Sequence, residues 1–322
     1  MGTMSILPSM RRRGALAVFA ALCCGTGSAQ VPAEVASELK AIGRVVDVTK
    51  TASLYKGRVL GTEARAGITI ERDLRYGSDE RNVLDVFAPA GGSSKPLPVL
   101  IYIPGGGFTA SARRVPDSPF FDSLMVWAVR SGMVAVNVNY RVVPASPWPA
   151  AADDVGMAVR WVHEQIGARG GDPQRVFLLG HSAGAAHVAS YIADRRFHQV
   201  SGSGVVGVLL LSGFYRLTPE TVGAQGPRKI YFGDDAATYE ERSAQRGLVT
   251  MAGRLPFWLA FAELDPPPTV SQAEGLNEAL CNAGHCPTFV QFPKHSHMSE
   301  MFSIGTADRT VSDSMLEFMR LR

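Results

Sequence analysis

Five residues, Gly180-His181-Ser182-Ala183-Gly184, restrict the fold of this 322-residue chain more than any other stretch. They follow the apolar, strand-prone run 175–179 and precede the small-residue, helix-prone run 185–193. A serine between glycines at a strand-to-helix junction is held in a strained backbone conformation that lifts its Oγ clear of the sheet, while the glycines let strand and helix backbones approach closely. The pattern alone is weak, because a chain with 33 Gly produces it by chance at an appreciable rate. Its flanks give it weight. A helix starting there points its first amides, that of Ala183 among them, at whatever lies beside the serine.

Composition matters mainly at the N-terminus. Residues 1–29 combine a basic triplet, Arg11 to Arg13, an apolar run 14–24 and the small-residue end Gly27-Ser28-Ala29. Together these read as a cleavable export signal, too short in its apolar part to cross a bilayer, which takes about 20 residues. The expected mature protein is therefore exported, to the periplasm or beyond. The leader holds three Arg and no acid, so the rest carries 29 basic and 29 acidic residues. That balance gives no argument for nucleic acid or an anionic membrane as partner. Two of the four cysteines, Cys23 and Cys24, fall in the leader; the other two, Cys281 and Cys286, are five apart. An exporting compartment permits a disulfide between them, with the bridged and free forms both open at this stage. Zinc ligation by Cys281, His285 and Cys286 lacks a fourth ligand at suitable spacing, so no metal is expected.

Along the chain, residues 30–67 read as an N-terminal arm with a short helix near 34–42 and no catalytic signature, and residues 68–322 as one large domain. Residues 68–75 and 82–88 alternate apolar and polar side chains about Gly77-Ser78-Asp79, the pattern of a hairpin. Runs 98–103, 133–139, 175–179, 205–211 and 256–262 are continuously apolar, as in parallel strands buried on both faces. Helix-prone stretches 120–131, 150–166, 185–193 and 269–282 separate them, and 288–292 reads as a final strand before a closing amphipathic helix, 307–321. Strands alternating with helices of this length predict an α/β fold with a mostly parallel, doubly wound sheet. Asp153 and Asp154, in the first turn of 150–166, read as helix-capping acids. Residues 231–247 read as a polar cover over part of a pocket.

The first apolar strand ends in Pro104-Gly105-Gly106-Gly107-Phe108. Consecutive glycines after a buried strand bring backbone N–H groups close to a ligand, and a phosphate cradle there would need a Lys-Ser/Thr pair that is absent. Acyl transfer by a serine needs a base, a carboxylate to orient the base, and donors for the developing oxyanion. Asp265 lies 83 residues beyond Ser182, at a strand end, and His297 another 32 residues on. Ser182, Asp265 and His297 are thus nucleophile, acid and base. Glu263, two residues before Asp265 and on the same face of an extended strand, rivals it as the acid, and His295 rivals His297 as the base. His181 and His187 read as packed or supporting groups. Phe108, Trp148, Phe214 and Tyr215 are the candidate pocket aromatics.

The joint pattern Tyr140-Arg141-Val142-Val143-Pro144, Pro149 through Asp154, Gly171 through Arg175, Gly180 through Gly184, Leu264-Asp265-Pro266 and His295-Ser296-His297 resembles the carboxylesterase branch of the α/β-hydrolase superfamily. The nearer likeness is to its feruloyl-esterase-like and formamidase-like members, and it covers about residues 68–321. The resemblance implies an α/β-hydrolase fold, the chain order nucleophile, acid, base, and an oxyanion hole made by the amides of Gly106, Gly107 and Ala183. It also supports the second histidine of the His-x-His form, His297, as base. Pro104 departs from the pattern, standing where the lipase group has the His of His-Gly-Gly-Gly, so support of that loop must differ.

These readings lead to one expectation, an exported serine hydrolase that cleaves small carboxylic esters through an acyl-enzyme and needs no cofactor. The same triad could cleave an aryl formamide or a peptide, and a catalytically silent binding protein on the same fold is the alternative of a different class. Acyl and alcohol preference and oligomeric state are not written in the sequence.

Overall fold

Apolar runs with no polar face have nothing to offer water on either side, and the computed structural model places them in one sheet covered on both faces. It describes residues 1–2, 30–59, 62–111, 113–114 and 118–320. The body of the expected leader, with Cys23 and Cys24, lies outside these residues. The strands are β1 (Ile68–Arg75), β2 (Val83–Pro89), β3 (Leu97–Ile103), β4 (Val134–Val138), β5 (Gly171–His181), β6 (Gly207–Leu211), β7 (Phe257–Ala262) and β8 (Thr288–Phe292). Their order in the sheet is β1-β2-β4-β3-β5-β6-β7-β8. β1 pairs antiparallel with β2 and β2 with β4, and every later pairing is parallel. The alternating first two runs thus form the hairpin edge and the continuous runs the buried centre.

The helices are α1 (Ala33–Ile42), α2 (Val48–Tyr55), α3 (Asp122–Arg130), α4 (Ala150–Gln165), α5 (Ala183–Ala193), α6 (Pro219–Val222), α7 (Pro227–Phe232), α8 (Tyr239–Arg242), α9 (Gln245–Ala252), α10 (Pro267–Asn282), α11 (Ser299–Phe302) and α12 (Thr310–Arg320). Among the described residues no helix is long and apolar enough to cross a membrane. On one face of the sheet α4 and α5 pack through Val155, Val159, Val188 and Ile192 onto Ile101, Leu178 and Leu210. On the other, α3 and α12 bury Met125, Val311 and Met315 against Leu100, Leu179 and Leu209. Residues adjacent along a strand therefore go to opposite cores, which fixes the register.

Two expectations need correction. The segment 231–247 is not a polar cover: Tyr231, Phe232 and Tyr239 are buried in the larger core, because α7 and α8 turn these aromatic residues inward and leave Glu240 and Glu241 in solvent. Asp154 does not cap α4. Its fully buried carboxylate accepts from the Arg141 amide at 2.7 Å and pairs with the guanidinium at 2.7 Å, tying the Pro-rich loop 140–149 to the helix. The helix expected near 34–42 in the N-terminal arm is α1, and the arm packs onto the domain. Val35 and Leu39 of α1 and Tyr55 of α2 share a small core with Phe120, Met298 and Phe302, against the loop that carries His297.

Replacing Asp154 by Ala leaves the Arg141 guanidinium, already three-quarters buried, without its partner. The expected cost is about 3 kcal/mol, read as a lower denaturant midpoint with an unchanged slope.

Candidate active site

β5 delivers Ser182 to the C-terminal edge of the sheet between β3 and β6, with Gly180 opposite Ile103 and His181 opposite Leu211. Ser182 adopts φ 55° and ψ −122°, a conformation of order 1–3 kcal/mol above the relaxed one for a non-glycine residue. Its amide donates to the Leu211 carbonyl at 2.9 Å, so the turn is held by the neighbouring strand. The glycines are there for room. A Cβ on Gly184 would lie 2.1 Å from the Ile103 carbonyl oxygen, and one on Gly180 would lie 2.6 Å from the Ala185 Cα.

Three side chains from different loops meet at this edge. The Ser182 hydroxyl lies 2.8 Å from His297 Nε2, and His297 Nδ1 lies 2.6 Å from Asp265 Oδ1. A carboxylate facing Nδ1 can only accept, so Nδ1 carries the hydrogen and Nε2 is free to take the serine proton. Asp265 Oδ2 accepts from the Ser212 hydroxyl at 2.6 Å and the Ala262 amide at 2.8 Å. The buried carboxylate is thus fixed on three sides, and its orientation does not depend on the imidazole alone.

The rivals are occupied elsewhere. Glu263 accepts from the Lys294 amide at 2.6 Å, across the β7–β8 edge. His295 is buried, with Nδ1 3.1 Å from the Ser299 hydroxyl and Nε2 3.4 Å from Asp308, and burial holds its pKa below the ordinary value. The loop thus commits the two imidazoles to different partners.

The glycine loop lies against the elbow. A Cβ on Gly105 would sit 3.0 Å from that of Ser182. Gly106 and Gly107 take φ 148° and 59°, which L side chains rarely adopt. Neither their amides nor that of Ala183 donate a hydrogen bond among the described residues, leaving three donors in the loop and helix start beside Ser182. The support that Pro104 cannot give comes from Tyr140, whose hydroxyl donates to the Pro104 carbonyl at 2.7 Å. Tyr140 lies in the motif 140–144, whose pattern carries no sign of this task. Ser212 carries a weak one, being a polar residue at the end of an apolar strand. Arg44 of the arm carries none; its guanidinium donates to the Asp265 carbonyl at 2.8 Å.

Of the four pocket aromatics, Phe108 and Tyr215 are packed into the core rather than displayed, Phe108 against His187, Tyr231 and Phe232. Trp148 and Phe214 are half-buried, with Arg242 and Arg228 over their rings. Cys281 and Cys286 are joined, their Cα atoms 4.1 Å apart, at the end of α10 and remote in the chain from the serine elbow.

Behind these three side chains lies a buried pair. His181 Nε2 is 2.9 Å from the His297 carbonyl and 3.3 Å from Glu300 Oε1. Burial and the neighbouring His297 push the His181 pKa well down, and burial with nearby Asp265 pushes that of Glu300 well up, so both favour their neutral forms. Ligand atoms of His181, His297 and Glu300 lie within 4.8 Å of one another. They do not make a metal centre. Both His297 nitrogens are committed, and the His181 nitrogen that faces a carbonyl must carry a hydrogen, so lone pairs do not converge.

A family profile described as alpha/beta hydrolase fold matches residues 100–300. Esterase LipQ of Mycobacterium tuberculosis is 28% identical over 264 residues, covering 77% of this chain and 61% of the relative. The probable carboxylic ester hydrolase LipM of the same organism is 27% identical over 256 residues, covering 74% and 58%. The chain thus spans about three-fifths of the length of these relatives. Among solved structures, one titled Bacterial Heroin Esterase superposes with a TM-score of 0.65 at 22% identity, covering 92% of this chain and 99% of that one.

Both nitrogens of the fully buried His187 lack a partner among the described residues, and burial pushes its pKa from 6.5 down to about 3. The unfolded chain takes up this proton as the pH falls below about 6.5 and the folded protein only near 3, so stability drops between those values. His187→Phe should remove that loss, flattening the dependence by about 1.4 kcal/mol per pH unit at its steepest, as measured by urea unfolding across the window.

Proposed function

The chain belongs to the α/β-hydrolase family, and from that premise we propose that it is a serine carboxylesterase in which Ser182, His297 and Asp265 form the catalytic triad. The observation that carries this reading is the unbroken hydrogen-bond chain from Ser182 Oγ through His297 to Asp265, at 2.8 and 2.6 Å. In the proposed reaction Oγ attacks the ester carbonyl carbon while Nε2 takes its proton. Asp265 holds the imidazolium that results. The tetrahedral oxyanion is met by the unpaired amides of Ala183, Gly106 and Gly107, each such donor being worth about 2.7–4 kcal/mol in the transition state. His297 then returns the proton to the leaving alcohol, and a water activated by the same nitrogen releases the acid. Relatives named esterase and carboxylic ester hydrolase support an ester as substrate.

Export is proposed on the sequence of residues 1–29 alone, and N-terminal sequencing of the exported form should begin at Gln30. The test of the chemistry is turnover of p-nitrophenyl acetate and butyrate with fluorophosphonate labelling read by mass spectrometry. Ser182→Ala should lose the adduct and lower kcat by about 10⁴ or more, and His297→Ala should do likewise, whereas His295→Ala should still label. A wild type that takes no adduct at Ser182, or cleaves aryl formamides in preference to every ester offered, would overturn the reading.

A further inference from the structure

Arginines that are half-buried or deeper in this protein find oxygen partners. Arg72 has Asp85 and Asp122, Arg113 has Asp85, Arg141 has Asp154 and Arg169 has Glu71. Arg81 donates to the carbonyls of Tyr140 and Ser111, and Arg242 to that of Phe232. Arg228 is the exception among the described residues. It is half-buried, makes no hydrogen bond or ion pair, and lays its guanidinium over the Phe214 ring, 4.6 Å from the centroid. Burial lowers its pKa and no carboxylate compensates. Keeping a cation part-way out of water without an anion is a cost that folding alone gives no reason to bear.

Its surroundings place it on a helix packed against the loops that flank Ser182. Arg228 and Tyr231 are three apart on α7 and so share a face. The Tyr231 ring is 5.0 Å from those of both Phe108 and His187, Phe108 being the residue after the glycine loop and His187 lying on α5, which Ser182 begins. On the other side Phe214 stands two residues beyond Ser212, whose hydroxyl holds Asp265. A Cβ on the intervening Gly213 would lie 2.6 Å from that of Ala185, so this loop is pressed onto the first turn of α5. Helix α7 therefore bridges the glycine loop and the loop after β6, the two that flank Ser182.

We propose that Arg228 is a specificity-determining residue that receives a carboxylate carried by the ester substrate, with Phe214 as the platform that holds the guanidinium flat. The inference rests on the esterase reading and names its substrate class, esters with a free carboxylate on the acyl or the alcohol side. A planar guanidinium with its face on an aromatic ring keeps its edge donors for a bidentate acceptor, and in a half-dry site that pair is stronger than in water.

The test compares kcat/KM for the p-nitrophenyl monoesters of succinic, glutaric and adipic acids with the same esters methylated at the far carboxyl. A second arm uses butyrate esters of 4-hydroxybenzoic acid and of its methyl ester. We expect one arm to favour the acid over its neutral twin, and Arg228→Met, which keeps the stem over Phe214, to cut that ratio about tenfold or more through KM, with Arg228→Lys between. Calorimetry of free glutarate on Ser182→Ala, with and without Arg228→Met, reads the site without turnover, and binding should require Arg228 and weaken with added salt. A ratio unmoved by Arg228→Met, or no acid preference in either arm and no glutarate binding, would overturn the proposal while leaving the esterase reading intact. Turnover of no ester at all, with Ser182→Ala unchanged from wild type, would instead count against that reading.

Discussion

The site depends on how closely α5 approaches the end of β3. With a glycine at 184 the helix backbone comes within reach of the Ile103 and Pro104 carbonyls, where a Cβ would stand 2.1 and 2.6 Å from oxygen. This contact forces the turn between β5 and α5 to be so short that Ser182 must take a positive φ. The strain is distributed over rigid neighbours, the Leu211 carbonyl on one side and the glycine loop on the other. Two buried strands and the glycine loop thus determine where the hydroxyl stands.

Asp265 fixes the other side of the site. Its oxygens accept from His297, Ser212 and the Ala262 amide, while its own carbonyl accepts from Arg44 of the N-terminal arm. Burial with this nearby carboxylate pushes the Glu300 pKa well up, and burial with the neighbouring His297 pushes that of His181 well down, so both favour their neutral forms. With both of these favouring neutral forms, the Asp265 carboxylate is the group that faces the Nδ1 of the proposed base, at 2.6 Å.

The arm and the aromatic cluster work on the same loops from outside. Tyr55, Met298 and Phe302 form a small core beneath the His297 loop, and Phe108 with His187, Tyr231 and Phe232 forms another against the glycine loop. Each catalytic loop is thus backed by packed apolar side chains, and the polar atoms at the sheet edge are held by what lies behind them.

The local pattern was enough to read the alternating and the unbroken apolar strands and the serine elbow, because these are set by neighbours in sequence: period-two alternation, an unbroken apolar run, glycines where backbones must meet. The elbow serine is a property of five consecutive residues. What only the tertiary structure decided involves partners distant in the chain. Glu263 and Asp265 look equivalent along a strand, and it is Lys294 from the next strand's end that takes the first and His297 the second. Asp154 looked like a capping acid until the loop carrying Arg141 folded back onto it. Tyr140 in place of a histidine beside the glycine loop, and Ser212 and Arg44 on Asp265, are contacts across 36, 53 and 221 residues of chain. Hydrogen bonds of that span carry no periodicity, so no stretch of sequence announces them; they exist only once burial has brought the chain's ends together and left each polar group to find a partner.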